Sequence, residues 1–102
     1  MSGGFEWSER KRRRNLSERG GDFADAALIF DDPTLEAVDD RVDDGEGRYR
    51  ALGRVGDAYL MVVYTWCGEY RRLISAWRVN EHGRQRYEAI RARRAAGEAP
   101  PR

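Results

Sequence analysis

Guanidinium groups dominate the side chains of this chain that are capable of chemistry. Eighteen of its nineteen basic residues are arginine, against one lysine, one histidine and one cysteine. Arginine grips a phosphate through a planar fork of donors and stacks flat on bases, so an arginine-rich surface points towards nucleic acid. The same composition also suits a merely solvated surface, and composition alone does not separate the two. Proton transfer is more restricted. With His82 as the sole histidine, a two-histidine acid–base pair is impossible. Arginine, with a pKa above about 12, does not act as a base at neutral pH. Cys67 lies in a Gly-containing turn with no histidine near it in sequence, which reads as inert, and it has no partner for an internal disulfide. The reactive potential therefore lies in positive charge arranged around a phosphate. Arg72 and Arg78 sit on one apolar-rich stretch, Lys11, Asn15 and Arg19 near the start of the chain, and Arg48 and Arg50 in an alternating segment.

Charge is segregated along the chain. Residues 8–20 carry six basic and two acidic side chains, residues 21–47 one basic and ten acidic, and residues 48–102 twelve basic and five acidic. These blocks of about +4, −9 and +7 hide behind a net charge of +1, and they suggest interaction surfaces more than the net value does. A chain of 102 residues is read as one small domain over residues 1–95, followed by a flexible tail at 96–102. No apolar run reaches the roughly 18–20 residues of a membrane span, and the first seven residues do not form a signal peptide. A cytoplasmic protein is the expectation.

The elements that must position these groups are organised around Ala58–Arg78, AYLMVVYTWCGEYRRLISAWR. Two β-rich runs separated by a turn at Cys67-Gly68 read as a hairpin, which needs the rest of the chain to cover it. Ahead of it, Phe5-Glu6-Trp7 is a short edge strand. Ser8 caps a polar helix from Glu9 to about Glu18 that Gly20 ends, with Lys11 and Asn15 on one face and Arg12, Leu16 and Arg19 on another. Asp22 caps a second helix whose Phe23, Ala26, Ala27 and Phe30 form a core-facing stripe, stopped at Asp31-Asp32-Pro33. Thr34–Val38 is a short strand. Asp39–Gly47 is an acidic loop that fails the calcium-loop pattern, because Arg41 stands where an oxygen ligand is needed. Arg48–Arg54 is a half-exposed strand with Arg48, Arg50 and Arg54 on one side. Simple alternation then puts Arg72, Ile74, Ala76 and Arg78 on one face of the last strand, and Arg71, Leu73, Ser75 and Trp77 on the other. Asn80 caps a final helix to about Ala95, with a thin stripe of Gly83, Tyr87 and Ile90. Helices followed by a run of strands indicate an α+β fold, an antiparallel β-sheet packed against two N-terminal helices with a C-terminal helix.

Several of these segments, taken in order, resemble the BrnT family of toxins from bacterial type II toxin–antitoxin pairs. The matching residues are Phe5-Glu6-Trp7, then Lys11, Asn15, Gly20 and Phe23, then Ala26, Phe30, Asp32 and Pro33. Further on come Gly45-Glu46 with Arg48 and Gly53, Val62-Val63-Tyr64-Thr65, Arg72-Leu73-Ile74-Ser75-Ala76 with Arg78, and Tyr87-Glu88. The chain departs from the family at Ser8 for aspartate, Arg19 for histidine, Trp77 for arginine and Gly83 for glutamate. The resemblance implies a RelE-like fold and a ribonuclease that inhibits translation. Its partners would be RNA and a cognate BrnA-like antitoxin, with promoter DNA reached only through the antitoxin. No cofactor, metal or membrane is implied.

Cleavage by attack of a 2′-hydroxyl needs a base, positive charge on the phosphate in flight and a proton donor for the leaving oxygen. Under the resemblance, Arg78, Lys11 and Arg72 are the catalytic candidates, and Arg19, Asn15, Arg48, Arg50 and Trp77 the RNA-binding ones, with Tyr87 and His82 as further possibilities. Arg19 would keep the charge of the family's histidine but not its proton transfer. Other roles stand beside these: Arg72 pairing with Asp31 or Asp32, Tyr64 and Tyr87 packing as core aromatics, His82 as a bystander. A catalytically weak RNA- or antitoxin-binding module of the same fold is the alternative function.

Overall fold

The computed structural model describes residues 4–39 and 47–97; most of the acidic loop, residues 40–46, and the tail from residue 98 lie outside this set. The elements run β1 (Phe5–Glu6), α1 (Glu9–Arg19), α2 (Phe23–Leu28) with a 3₁₀ turn at Ile29–Asp31, β2 (Leu35–Val38), β3 (Tyr49–Val55), β4 (Ala58–Cys67), β5 (Tyr70–Arg78) and α3 (Glu81–Ala95). The five strands form one sheet in the order β1-β5-β4-β3-β2. The meander from β2 to β5 is antiparallel, as alternation and short turns require. Contrary to a wholly antiparallel sheet, β1 pairs with β5 in parallel. No hairpin joins these two strands, so nothing forces them to oppose each other.

The helix ends follow their capping residues. The Ser8 hydroxyl accepts from the Lys11 amide at 3.3 Å, the Asp22 carboxylate accepts from the Ala24 amide at 3.0 Å, and the Asn80 side chain accepts from the Gly83 amide at 3.0 Å. Gly20 closes α1 at φ 78°, a left-handed conformation that suits glycine. The second helix is shorter than its apolar stripe suggests, since its last turn tightens into the 3₁₀ segment before Asp32.

Helices α1 and α2 cover one face of the sheet, where Phe23, Ala26 and Ile29 pack on Ala51, Leu60, Val62, Tyr64, Leu73 and Ala76. The other face carries a smaller cluster of Leu52, Tyr59 and Tyr87, joined by Leu35, Met61 and Val79. Tyr87 is the one fully buried side chain of α3. Its ring meets Tyr59 edge-on at 5.5 Å and its hydroxyl donates to the Pro33 carbonyl at 3.1 Å. Truncation to Tyr87→Ala is expected to undock α3, costing about 3–5 kcal/mol by denaturant titration.

Strand β5 departs from simple alternation. A bulge opposite Val63/Tyr64 pairs Val63 with Ser75 and Tyr64 with Leu73, leaving Ile74 between them without a cross-strand partner. Leu73 and Ala76 therefore both face α1 and α2, in place of opposite faces. After the bulge Arg78 pairs with Leu60 and Trp77 with Met61, whereas Arg72, before it, pairs with Thr65. Arg72 and Arg78 consequently share no face.

One ion pair ties α1 to the start of α2. The Arg12 Nε donates to Asp22 Oδ1 at 2.7 Å, and its Nη2 to Oδ2 at 3.0 Å. The guanidinium holds the Asp22 carboxyl below its ordinary 3.8, with the Ala24 amide adding to the effect. A depressed carboxylate contributes stability that is complete above its unfolded pKa and disappears as pH falls through the folded value. The protein should therefore lose stability below about pH 4 more steeply than an Asp22→Asn variant, in melting scans run from pH 5 to 2.

Candidate nucleic-acid interface

The face of the sheet that carries α3 is only partly covered, and beside the helix lies an open groove of about 690 Å³. Arg50 enters it from β3, Trp77 from β5, and His82, Arg86 and Arg94 from α3, while Arg78, whose cross-strand partner Leu60 faces α1 and α2, borders it from the end of β5 and also lines a second recess with Asp22, Asp25 and Asp57. Leu35, Leu52, Met61 and Ile90 give it an apolar floor, and Glu36 borders it with its carboxylate turned to the Tyr64 hydroxyl on the other face. His82, Arg86, Ile90 and Arg94 recur every four residues, which aligns them along one side of a helix. The neighbouring stripe of Gly83 and Tyr87 docks the helix, so docking itself aims the basic row along the groove.

Pairing separates these arginines from the others. Arg12 is held by Asp22 and Glu9, Arg14 by Glu18, and Arg72 by Glu6 at 3.2 Å. Among the described residues, no carboxylate lies within ion-pair distance of Arg50, Arg78, Arg86 or Arg94. Four guanidiniums in one groove without counter-charges create a positive field with the donor geometry for phosphates. Trp77 borders them with its indole partly exposed, and the Arg19 guanidinium lies 5.0 Å from its ring centroid. Arg19 thus reaches the groove by stacking on Trp77.

Lys11 and Arg72 lie elsewhere. They line a shallow recess of about 330 Å³ with Glu6, Trp7, Ser8, Leu73 and Ile74. Arg72 also donates to the Cys67 sulfur at 3.0 Å, and its acidic partner is Glu6 in place of Asp31 or Asp32. Arg48, two residues ahead of Arg50, is half-buried and its carbonyl accepts from the Asp39 amide at 2.8 Å.

Two candidates are committed to the fold. Asn15 is 8 % exposed. Its amide nitrogen donates to the Gly21 carbonyl at 2.7 Å and the Ala76 carbonyl at 2.8 Å, and its oxygen accepts from the Ser75 hydroxyl at 3.1 Å and the Ala76 amide at 3.3 Å. Those four bonds leave the amide no capacity to contact RNA. Tyr87 is buried and its hydroxyl engaged, so it serves docking. Tyr64 is likewise a core ring: its hydroxyl donates to Glu36, and burial first, then Glu36, pushes it up to about 12. The residues that sequence reasoning passed over are Arg86 and Arg94. Their four-residue spacing from His82 was the available signal, but without the sheet it looks like any solvated helix face.

Residues 7–83 match the family described as the ribonuclease toxin BrnT of type II toxin–antitoxin systems. The fold is similar to that of the Brucella abortus ribonuclease toxin BrnT, known from a 1.1 Å crystal structure. The two superpose with a TM-score of 0.57 at 24% identity, over 76% of this chain and 97% of that one. No curated protein matches the sequence. No helix among the described residues is long and apolar enough to cross a membrane.

Proposed function

Since the chain belongs to the BrnT family of ribonuclease toxins of type II toxin–antitoxin systems, we propose that the groove between the sheet and α3 is where it holds and cleaves RNA. The observation that carries this reading is the set of four unpaired arginines, Arg50, Arg78, Arg86 and Arg94, gathered in one groove from three elements. They grip successive phosphates, and Arg78 stabilises the charge that builds on the phosphate as the 2′-oxygen attacks and the 5′-oxygen leaves. Trp77, backed by Arg19, offers a flat face for a base, a contact that favours unpaired RNA over a duplex. His82 is the groove's one imidazole, the side-chain type best suited to proton exchange near neutral pH; it gives a proton to the leaving 5′-oxygen as the P–O5′ bond breaks, while water takes the proton of the attacking 2′-hydroxyl. Lys11 and Arg72 form an outlying contact along the strand. The cleavage arrests translation, and the partner that restrains it is an antitoxin of the BrnA kind.

Phosphate charge stabilised by arginine needs no divalent ion. Cleavage of a single-stranded RNA should therefore persist at an unchanged rate in excess EDTA.

Cleavage by purified protein tests the site as a whole. Wild type should cut, His82→Gln should lose about 100-fold, and Lys11→Ala should lose less than Arg78→Ala. Equal cleavage by wild type and the Arg78→Ala and His82→Gln variants would show that the site lies elsewhere.

A further inference from the structure

Far from the groove, at the β4–β5 turn and on the face shared with α2, Arg71 is enclosed by aromatic rings. Its guanidinium carbon lies 4.1 Å from the Phe30 centroid, 4.6 Å from Trp66, 5.2 Å from Tyr64 and 6.0 Å from Phe5. Register explains the cluster: Phe5, Arg71 and Trp66 stand side by side across β1, β5 and β4. The next row is Val38, Tyr49 and Tyr64 across β2, β3 and β4. The helices cover the middle of this face but leave its end open, where Trp66 is 47% and Val38 63% exposed.

Arg71 is anomalous in its partners. Its Nε is buried and makes no hydrogen bond, its polar neighbour is the Tyr64 hydroxyl, and among the described residues no carboxylate pairs with the side chain. A guanidinium taken this far out of water normally finds an acid, because rings satisfy its charge but not its donors. The cage fixes the fork in place, so a carboxylate arriving from outside meets a donor pair that is already oriented. Arginine and tryptophan at the centre of an apolar patch are also the residues that dominate protein–protein binding energy.

Resting on the assignment to a toxin–antitoxin family, we propose that the Trp66–Arg71 patch is the anchor for the antitoxin, which packs apolar side chains on Trp66 and Val38 and sets a carboxylate on Arg71. RNA fits this surface less well. Among the described residues its one cation is Arg71, while Glu36 sits on the Tyr64 hydroxyl and Asp31 follows Phe30 exposed to solvent. A polyanion would be repelled where a single carboxylate is drawn in. The anchor and the groove lie on opposite faces of the sheet, so antitoxin binding and RNA cleavage are separable by mutation.

The test uses the protein together with a BrnA-type antitoxin, both purified, with affinity measured by titration calorimetry. Trp66→Ala, an exposed position, and Arg71→Lys, which keeps the charge and loses the fork, should each weaken binding at least about 30-fold. Their melting temperatures and the rate of RNA cleavage by free Trp66→Ala should match wild type. Wild-type affinity in Trp66→Ala would overturn the proposal, and so would loss of binding in Arg86→Ala with the patch intact. The calorimetric readout is independent of catalysis: failure to cleave RNA would count against the groove, and failure of the patch variants to weaken binding would count against the anchor.

Discussion

Alanine at Arg78 should slow RNA cleavage roughly 100- to 1,000-fold, the range seen when a single preorganised donor to a reacting oxyanion is removed, with little change in melting temperature. The expectation follows from where the side chain sits. Arg78 ends β5, exposed, with its backbone fixed by the Leu60 register and its guanidinium paired to no described carboxylate. Its positive charge therefore contributes little to the fold and remains available to substrate. Arg72, six residues earlier, is engaged by Glu6 and the Cys67 sulfur, and an exposed pair of that kind contributes about 0–1 kcal/mol to stability. Arg72→Ala should thus cost less activity than Arg78→Ala, and the ranking of the two variants checks the geometry as well as the chemistry. Arg86→Ala removes a phosphate contact without touching the reacting centre. It should weaken single-stranded RNA binding across all sequences, and reduce the slope of log affinity against log salt by about 0.7, the value for one phosphate on a single strand.

The sequence and the structure agree where one local force decides the outcome. Ser8, Asp22 and Asn80 each stand where a helix begins, because an oxygen acceptor at that position meets amides that have no other partner. The hairpin at Gly68 was equally legible. What alternation could not foresee is the bulge at Ile74. Nothing in RRLISAWR distinguishes a regular strand from a bulged one, since Leu73 and Ala76 are both apolar and the choice depends on the shape of the helices they pack against. The slip carries a functional consequence, for it sets Arg78 beside Leu60 on the side of α1 and α2, opposite to Arg72, so that Arg78 meets the groove only from the end of the strand. Asn15 shows a different blindness. An asparagine in a polar helix reads as solvated, and only the approach of β5 reveals that its amide is the bolt between two elements sixty-one residues apart. The Arg71 cage is of the same kind, since its four rings come from β1, β4 and the 3₁₀ turn after α2 and meet only in the folded chain.

That bolt makes Gly21→Ala a strongly destabilising substitution. Gly21 is buried where the chain between α1 and α2 presses on β5, and a Cβ added there would stand 2.4 Å from the Ala76 carbonyl oxygen and 2.8 Å from the Trp77 nitrogen. Both neighbours are backbone, so no rotamer change relieves the collision, and the loop must lift from the strand. Lifting it separates the two carbonyls, of Gly21 and Ala76, that the Asn15 amide bridges at 2.7 and 2.8 Å. Overpacking of about 1–3 kcal/mol is then joined by buried hydrogen bonds worth about 1–3 kcal/mol when left unmade. A loss of about 2–6 kcal/mol is a large part of the roughly 5–15 kcal/mol that holds a domain of this size. Exposed Ser17→Ala on the same helix should stay within about 0.5 kcal/mol of wild type. Asn15→Leu should destabilise by a comparable amount, and the double variant Asn15→Leu/Gly21→Ala should lose markedly less than the two single losses together, because both break one junction. Chemical denaturation of the four proteins decides it: additive losses would mean that Asn15 and Gly21 act independently, and a Gly21→Ala protein as stable as wild type would mean that the loop does not press on β5 as described.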